Sequence, residues 1–415
     1  MDLELVTIGT ELLLGFTIDT NSAFLGQALG EIGVRIARRT SVPDEPAAVA
    51  AAVREALSRT RLVITTGGLG PTKDDLSKNV VAELLGLPLE FHPEIWEAIT
   101  ARFARMGRKL SERNRCQAEV PRGALVLPNP RGTAPGLWIG AEAGEVIMLP
   151  GVPGEMRGLV RQEVVPRLGQ RVGGRVVRSL LLRTTAIAES TLAERLEPVE
   201  DSLAPLTLAY LPGLEGVDLR LTAWDAKREE AASQLEGAAE RLRERVPEHV
   251  YGQGETDLAE VLLAEYRRKG MRLAVAESCT GGMLGARITA IPGSSEVFVG
   301  GLIAYHDDLK QALGVPARIL EEHGAVSEEA VREMALAARD RFTASAVLAV
   351  TGIAGPGGGS PEKPVGLVWF GLADGQGCET RRMVFPGSRH EIRTRAAQYA
   401  LWSGWRRAQS AATRL

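Results

Sequence analysis

Hydrophobic positions in residues 1 to 165 alternate between short unbroken runs and stretches of helical spacing. Leu3 to Ile8 and Leu62 to Thr66 are continuous β-rich runs, and Leu125–Leu127 and Glu145–Leu149 read as later strands. Residues 45 to 58 repeat apolar positions at helical period, with Pro46 suited to a first turn. Strand and helix in alternation predict an α/β fold with a mostly parallel sheet and helices on both faces. In such folds ligands sit at the carboxyl ends of the strands.

The pattern changes over 170 to 250. Val176–Arg183 reads as a strand, 187 to 197 as a helix, and Leu206–Leu211 with Val217–Ala223 as a hairpin around Pro212-Gly213. A long charged helix is expected at 225 to 245, giving a small α+β (βαββα) unit that serves as a linker. From about 255 the α/β pattern returns. Asp257–Lys269 is helical, 272 to 276 a buried strand, and Gly281 onward a helix start. Val297–Tyr305 and Ala346–Val350 are strands around a helix at 327 to 341, followed by strands at 365–373 and 379–385 and a helix from about 388. Three domains are expected, at 1–168, 172–250 and 255–415.

Composition narrows the class without naming a function. A hydrophobic content of 45% with 24% charged residues is ordinary for a soluble chain, and a net charge of -3 gives no reason to expect nucleic-acid binding. Three widely spaced cysteines indicate neither a disulfide framework nor a zinc site. The start Met1-Asp2-Leu3-Glu4 leads into a strand, and no signal peptide or membrane-length apolar run is visible, so a cytoplasmic protein without a membrane partner is expected. The basic residues are 7 Lys against 42 Arg, which gives weight to Lys310 and Lys73, both beside candidate sites.

In the third section an apolar run stops at Glu277-Ser278-Cys279-Thr280-Gly281-Gly282. Ser278 is placed where main-chain N–H groups and a helix dipole can hold developing negative charge. Tyr305, at a neighbouring strand end, is a candidate to take its proton if a cation such as Lys310 lowers the phenol pKa. The loop from Thr351-Gly352 offers unobstructed N–H groups, and Arg389 and Arg393 open the last helix, suited to a phosphate or carboxylate. Other readings stand beside this one. Ser278 with Thr280 also fits a plain helix cap, Cys279 is a rival nucleophile, and His306 a rival base that strand alternation sets opposite Tyr305.

A second constellation follows the strand Leu62 to Thr66. Gly67, Gly68 and Gly70 let a backbone approach phosphates, and Asp74 and Asp75 beyond Thr72 and Lys73 suit a hard divalent cation. Glu11, Asn21 and Asp44 lie at further strand or loop ends. Alternatively, Asp74 and Asp75 are only charges in a helix's first turn. Gly213-Leu214-Glu215-Gly216 matches a GxxG nucleic-acid loop superficially, but it falls between two strands and carries an acid, so it reads as a hairpin turn.

Together these motifs resemble a known family. Glu277–Gly282, Gly300–Tyr305 with Lys310, and Val350–Pro356 are similar to the CinA (competence/damage-inducible) C-terminal family, which contains nicotinamide mononucleotide (NMN) deamidases. The resemblance implies hydrolysis of the NMN carboxamide without a cofactor. Ser278 carries over as nucleophile, Tyr305 and Lys310 as the base pair, and Thr351 and Arg393 as positioning groups, with Gly281, Gly282, Gly352 and Arg389 near substrate. Ile8–Gly15, Asp19–Asn21, Gly67–Asp75 and Leu149–Met156 resemble the family's N-terminal domain, itself similar to molybdopterin-binding proteins and doubly wound. That implies a metal-dependent ADP-ribose pyrophosphatase using a divalent ion such as Mg, Co or Mn. Asp44, Asp74, Asp75 and Glu11 carry over as its metal or phosphate-site residues, with Gly67, Gly68, Gly70 and Thr72 against substrate. Leu69 stands where the cofactor-synthesis relatives often have threonine, which weakens transfer of molybdopterin binding. The small middle domain is expected to be KH-like, and the family resemblance implies a homodimer acting on nucleotides. A DNA-uptake or damage-associated binding protein, and a pterin-binding domain fused to a hydrolase, are the rival functions.

Overall fold

The computed structural model of the chain describes residues 1–410. Among these, no helix is long and apolar enough to cross a membrane. By internal contacts the chain divides into two compact units, Met1–Arg178 with Ala223–Gln234, and Ser179–Thr222 with Leu235–Leu415. The segment read as a linker is therefore shared between them.

The first unit is built on a six-stranded sheet. Its order is Arg35–Val42, Asp2–Ile8, Leu62–Thr66, Gly144–Leu149, Gly136–Ala141, Leu125–Leu127. The first four strands are mutually parallel, Gly136–Ala141 is antiparallel to its neighbours on both sides, and Leu125–Leu127 therefore runs in the direction of the first four. Leu62–Thr66 is buried throughout and Asp2–Ile8 from its second residue, because apolar clusters cover both faces of the sheet. The register sets Ile8 beside Val42, Thr7 beside Thr66, and Thr66 beside Leu149. Four loops thus leave one edge of the sheet together. Gly67 makes the tightest of these exits, at φ 108, where a Cβ would lie 2.2 Å from the carbonyl oxygen of Ile8.

Pro46 opens the helix Pro46–Thr60, as its position predicts. Among the elements of this unit that the sequence pattern did not disclose are the helix Thr20–Gly30 and the strand Arg35–Val42. That strand is an edge strand with its arginines in solvent, so it carries no apolar run.

In the second unit a five-stranded sheet runs Phe298–Ile303, Leu273–Glu277, Ala346–Gly352, Leu367–Asp374, Gly377–Val384, the first three parallel. The helices Leu258–Arg268 and Arg389–Ser410 cover one face, and Glu328–Phe342 the other. Glu277 pairs with Ile303 on one side and Val350 on the other, so the first two of these strands end level and the third runs two residues further, to Gly352. The middle segment forms a four-stranded sheet with the order Thr207–Pro212, Val217–Lys227, Arg175–Thr184, Val250–Gln253. Gly213 donates to the carbonyl of Gly216, closing the expected hairpin turn. The charged helix starts only at Arg228, because the strand before it continues to Lys227.

One buried carboxylate fastens the second unit. Glu277, almost fully buried, accepts from the amides of Gly282 (3.0 Å), Leu284 (3.1 Å) and Gly285 (2.8 Å). It takes up the free N–H groups at the start of the helix Met283–Thr289. Glu277→Gln turns part of this acceptor into a donor facing other donors. We expect a loss of about 2 kcal/mol for this unit, read as a lower thermal midpoint by circular dichroism; an unchanged midpoint refutes the fastening role.

Candidate functional site

Each set of level strand ends carries a cluster of polar residues. In the first unit the four exits are Gly9–Glu11, Pro43–Asp44, Gly67–Asp75 and Pro150–Glu155. They enclose a cavity of about 410 Å3 lined by Glu11, Asp44, Gly67, Gly68, Gly70, Asp74 and Asp75 among others. Seven of the residues singled out in the sequence are thus brought to one wall.

The carboxylates are held in place individually. Asp44 accepts from the amide (2.8 Å) and hydroxyl (3.0 Å) of Thr10. Asp75 accepts from the Thr72 amide at 2.9 Å and from the Thr72 hydroxyl. Thr72 is therefore a support for Asp75 and not a lining residue. Hydrogen bonding from Thr72 and from its own main-chain N–H keeps the Asp74 carboxyl below the ordinary aspartate range. Asn21 donates to Gly151 O (2.8 Å) and Thr66 Oγ1 (3.3 Å), tying two of the exits together. Among the described residues no three His, Cys, Asp or Glu side chains gather closely enough to cage an ion. The donor set fits a hard divalent cation held by one or two carboxylates together with a ligand's phosphate oxygens, as Mg2+ is commonly held.

Glu155, Gln117 and Thr133 also line this cavity and were not anticipated as site residues. The signal for Glu155 was present, since it closes Pro150-Gly151-Val152-Pro153-Gly154-Glu155 directly after a buried strand. Its carboxylate accepts from Asn129 Nδ2 at 2.7 Å. Gly132 approaches so closely that a Cβ there would lie 1.7 Å from Glu155 Oε2.

In the second unit Ser278 follows its strand directly, is buried, and donates its amide to Val350 O at 2.8 Å. On one side Thr351 lies within the strand Ala346–Gly352, one residue past the Val350 that pairs with Glu277, and on the other Ala304-Tyr305 follow the strand Phe298–Ile303. Tyr305 is half-exposed, and its phenol oxygen accepts from Arg389 Nη2 at 2.7 Å. Arg389 also donates to Gly355 O at 2.9 Å. Arg393 Nη2 donates to Thr280 O at 2.7 Å. Two buried groups here have no hydrogen-bond partner, Thr280 Oγ1 and Arg393 Nε.

Several details differ from the sequence expectation. Lys310 is fully buried and its ammonium bonds the main-chain oxygen of Tyr305 (3.1 Å) and Asp307 Oδ1 (3.3 Å). It braces the backbone that carries Tyr305, while Arg389 is the cation on the phenol. The helix N-terminus beyond Ser278 is not open to an oxyanion at Gly281 and Gly282. Gly281 N–H donates to Ser278 O and Gly282 N–H to Glu277. The cap is thus supplied by Glu277, not by Ser278 or Thr280. Thr351 Oγ1 donates to Ala325 O at 2.8 Å, and Gly352 pairs with Val368 in the sheet. The strand expected to reach Tyr305 ends at Ile303, so alternation does not govern His306, which caps the helix Asp307–Leu313 through its ring nitrogen.

Comparison with known proteins follows the same division. The model described as "Probable molybdopterin binding domain" matches residues 4–170, "Damage-inducible protein CinA KH domain" 179–252, and "CinA C-terminal domain" 255–403. These define a molybdopterin-binding-like α/β domain followed by a KH-like segment and a CinA domain. A CinA-like protein of Gemmatimonas aurantiaca is 50% identical over 406 residues, covering 97% of this chain and 95% of the relative. Another from Anaeromyxobacter dehalogenans is 40% identical, covering 97% and 98%. The crystal structure of competence/damage inducible protein CihA from Agrobacterium tumefaciens is 41% identical, covers 35% of this chain and 89% of that one, and has a TM-score of 0.34. The chain belongs to the CinA family.

Both candidate nucleophiles are buried, and desolvation bears on the ionisation of the thiol. The Cys279 thiol is pushed up to about 12 by desolvation, so it stays protonated at neutral pH. We expect Cys279 in the native chain to resist iodoacetamide at pH 8 and to react after denaturation. Rapid native alkylation at Cys279, mapped by mass spectrometry, contradicts this.

Proposed function

We propose that the protein is a bifunctional hydrolase of pyridine-nucleotide breakdown products. One reaction is deamidation of NMN at the Ser278 site, and the other is metal-dependent hydrolysis of ADP-ribose to AMP and ribose 5-phosphate at the carboxylate cavity. Membership of the CinA family is consistent with hydrolase chemistry. The observation that carries the reading is the convergence, at two separate sets of strand ends, of groups with opposite electrostatic character.

At the first site Ser278, Tyr305 and Thr351 leave adjacent strands, with two guanidinium groups beside them. In the proposed reaction Ser278 Oγ adds to the carboxamide carbon, and its proton passes by way of Tyr305 to the leaving nitrogen. Ammonia departs and water hydrolyses the acyl ester, releasing nicotinic acid mononucleotide and restoring the serine. Arg389 offsets charge on the phenol oxygen during transfer, and Lys310 fixes the main chain behind it. The unpaired Thr280 hydroxyl and Arg393 Nε favour a ligand at this point, since buried polar groups are normally satisfied. Thr351 and Gly352, on the neighbouring strand, are proposed to position the carboxamide.

At the carboxylate cavity the diphosphate lies along the main chain of Gly67, Gly68 and Gly70, with Ser77 packed on Gly68 and Asp75 on Gly70. Asp74, with Asp44, Asp75 or Glu11, would hold the divalent ion, which neutralises phosphate charge and polarises the bridge. One of these carboxylates would also accept the proton of the attacking water. Water adds to one phosphorus, the P–O–P bond breaks, and two phosphomonoesters leave. The proposed localisation is the cytoplasm, where both substrates would arise from NAD breakdown, and the proposed assembly is a homodimer.

The two activities should be separable by mutation. Ser278→Ala lowers ammonia release from NMN by about 10^3-fold or more and leaves metal-dependent AMP release from ADP-ribose intact. Asp74→Ala has the reverse effect. Ammonia release that survives Ser278→Ala, or that is lost in Cys279→Ser, refutes the nucleophile.

A further inference from the structure

The C-terminal half of the last helix borders a second cavity in the Ser278 unit. Tyr399, Trp402, Ser403, Arg406, Arg407 and Ser410 recur at spacings of three and four, so they share one side of the helix Arg389–Ser410. Opposite them runs Gly377–Val384, the edge strand of the sheet. Its Glu379 and Arg381 pair with Leu372 and Phe370, which pack into the core under this helix. Two charged residues offer the helix little to bury, so helix and edge strand do not close on each other. A cavity of about 530 Å3 is left between them, with the nearly buried Phe370 and Leu372 at its base.

The cavity wall combines aromatic rings with cations. Tyr399 packs on Phe370 and Trp402, at ring-centre distances of 4.7 and 5.2 Å. Trp402 is fixed in turn, because its indole N–H donates to Glu248 O at 2.9 Å and its ring stacks on His249. Four arginines face a single lining carboxylate, Glu379. That carboxylate is taken up by Arg381, at 2.8 and 3.0 Å. Arg407 is held by the buried Asp374 (2.7 Å) and by Gln376 (2.9 Å). Arg406 donates only to the neutral Gln409 (2.6 Å), and Arg382 has no ion-pair partner among the described residues. Two guanidinium charges are thus left uncompensated beside a rigid aromatic wall.

We infer that this cavity binds a 5′-mononucleotide, at a site separate from both clusters at the strand ends. Arg406 lies about 20 Å along the helix from Arg393, too far for one mononucleotide to span both. The base lies against Tyr399 and Trp402, a contact that tolerates any base because each has a flat π face. The phosphate is received by Arg382 and Arg406 through charge-assisted hydrogen bonds. A cavity of this size suits a ligand with one flat apolar part and one doubly charged end. The inference does not depend on the two reactions proposed above.

The test is calorimetry on the full chain in EDTA, which removes metal-dependent binding at the carboxylate cavity. AMP should bind about tenfold or more tighter than either adenosine or ribose 5-phosphate. Arg382→Ala/Arg406→Ala should weaken AMP by about tenfold or more and leave ammonia release from NMN at its wild-type rate, since neither residue touches the Ser278 cluster. Photolabelling with 8-azido-AMP, mapped by mass spectrometry, should mark Tyr399 or Trp402. AMP binding indifferent to the double substitution overturns the site, and so does label confined to the Ser278 cluster or the carboxylate cavity. Equal affinity for AMP and ribose 5-phosphate overturns the base contact.

Discussion

Everything functional in this chain depends on parallel strands ending level. A parallel pair fixes both direction and register, so the residue after one strand lies beside the residue after its neighbour. In the first unit Ile8, Val42, Thr66 and Leu149 finish along one edge; in the second, Glu277 and Ile303 do, with Val350 in register beside Glu277. Sequence separations of tens of residues vanish at those edges. A one-residue slip would turn the side chains of a strand to the opposite face and would move its loop off the site. The buried apolar runs that make such a slip costly are therefore what hold the chemistry in place.

The same architecture carries two different electrostatic settings. At the first edge the polar groups are carboxylates, of which Asp44, Asp75 and Glu155 are anchored by a neighbouring threonine or asparagine, and the approach is lined by glycines. At the second edge the carboxylate Glu277 is turned inward onto helix amides, and the outward charges are guanidinium groups. One edge thus needs an external cation to accept phosphate, while the other presents its own cations. The fold is common to both, and the distinction lies in which few residues follow the strands.

Most of this was legible where the chemistry follows a buried strand. The runs at Leu62 to Thr66 and 272 to 276 announce themselves by unbroken apolar content, so Gly67–Asp75 and Ser278 could be placed at strand ends. Elements without that signal escaped: Arg35–Val42 is an edge strand whose arginines face solvent, and Thr20–Gly30 contains two glycines. Spacing was a poor guide to partners. Lys310 lies five positions after Tyr305, yet its one-turn reach ends on the main-chain oxygen, while the phenol meets Arg389 from 84 residues away. Glu277 was hidden for another reason. A carboxylate closing an apolar run reads as the end of a strand, and only the helix folding back over it discloses three amides seeking an acceptor. Thr133 and Gln117 carry no local pattern, because they belong to loops that reach the cavity only in the folded chain.

Arg389 and Arg393 carry a temporal consequence. They belong to the last helix, Arg389–Ser410, and bond Gly355, Tyr305 and Thr280, which are all made earlier. During synthesis, Ser278 emerges more than a hundred residues before these cations. The nascent chain therefore displays its hydroxyl for some time without the guanidinium groups that complete the site. The order of residues along the chain works as a built-in delay: the Ser278 site can be completed only after Arg389 and Arg393 are made, whereas Gly67–Asp75 and Glu155 all precede Ser278 in the chain.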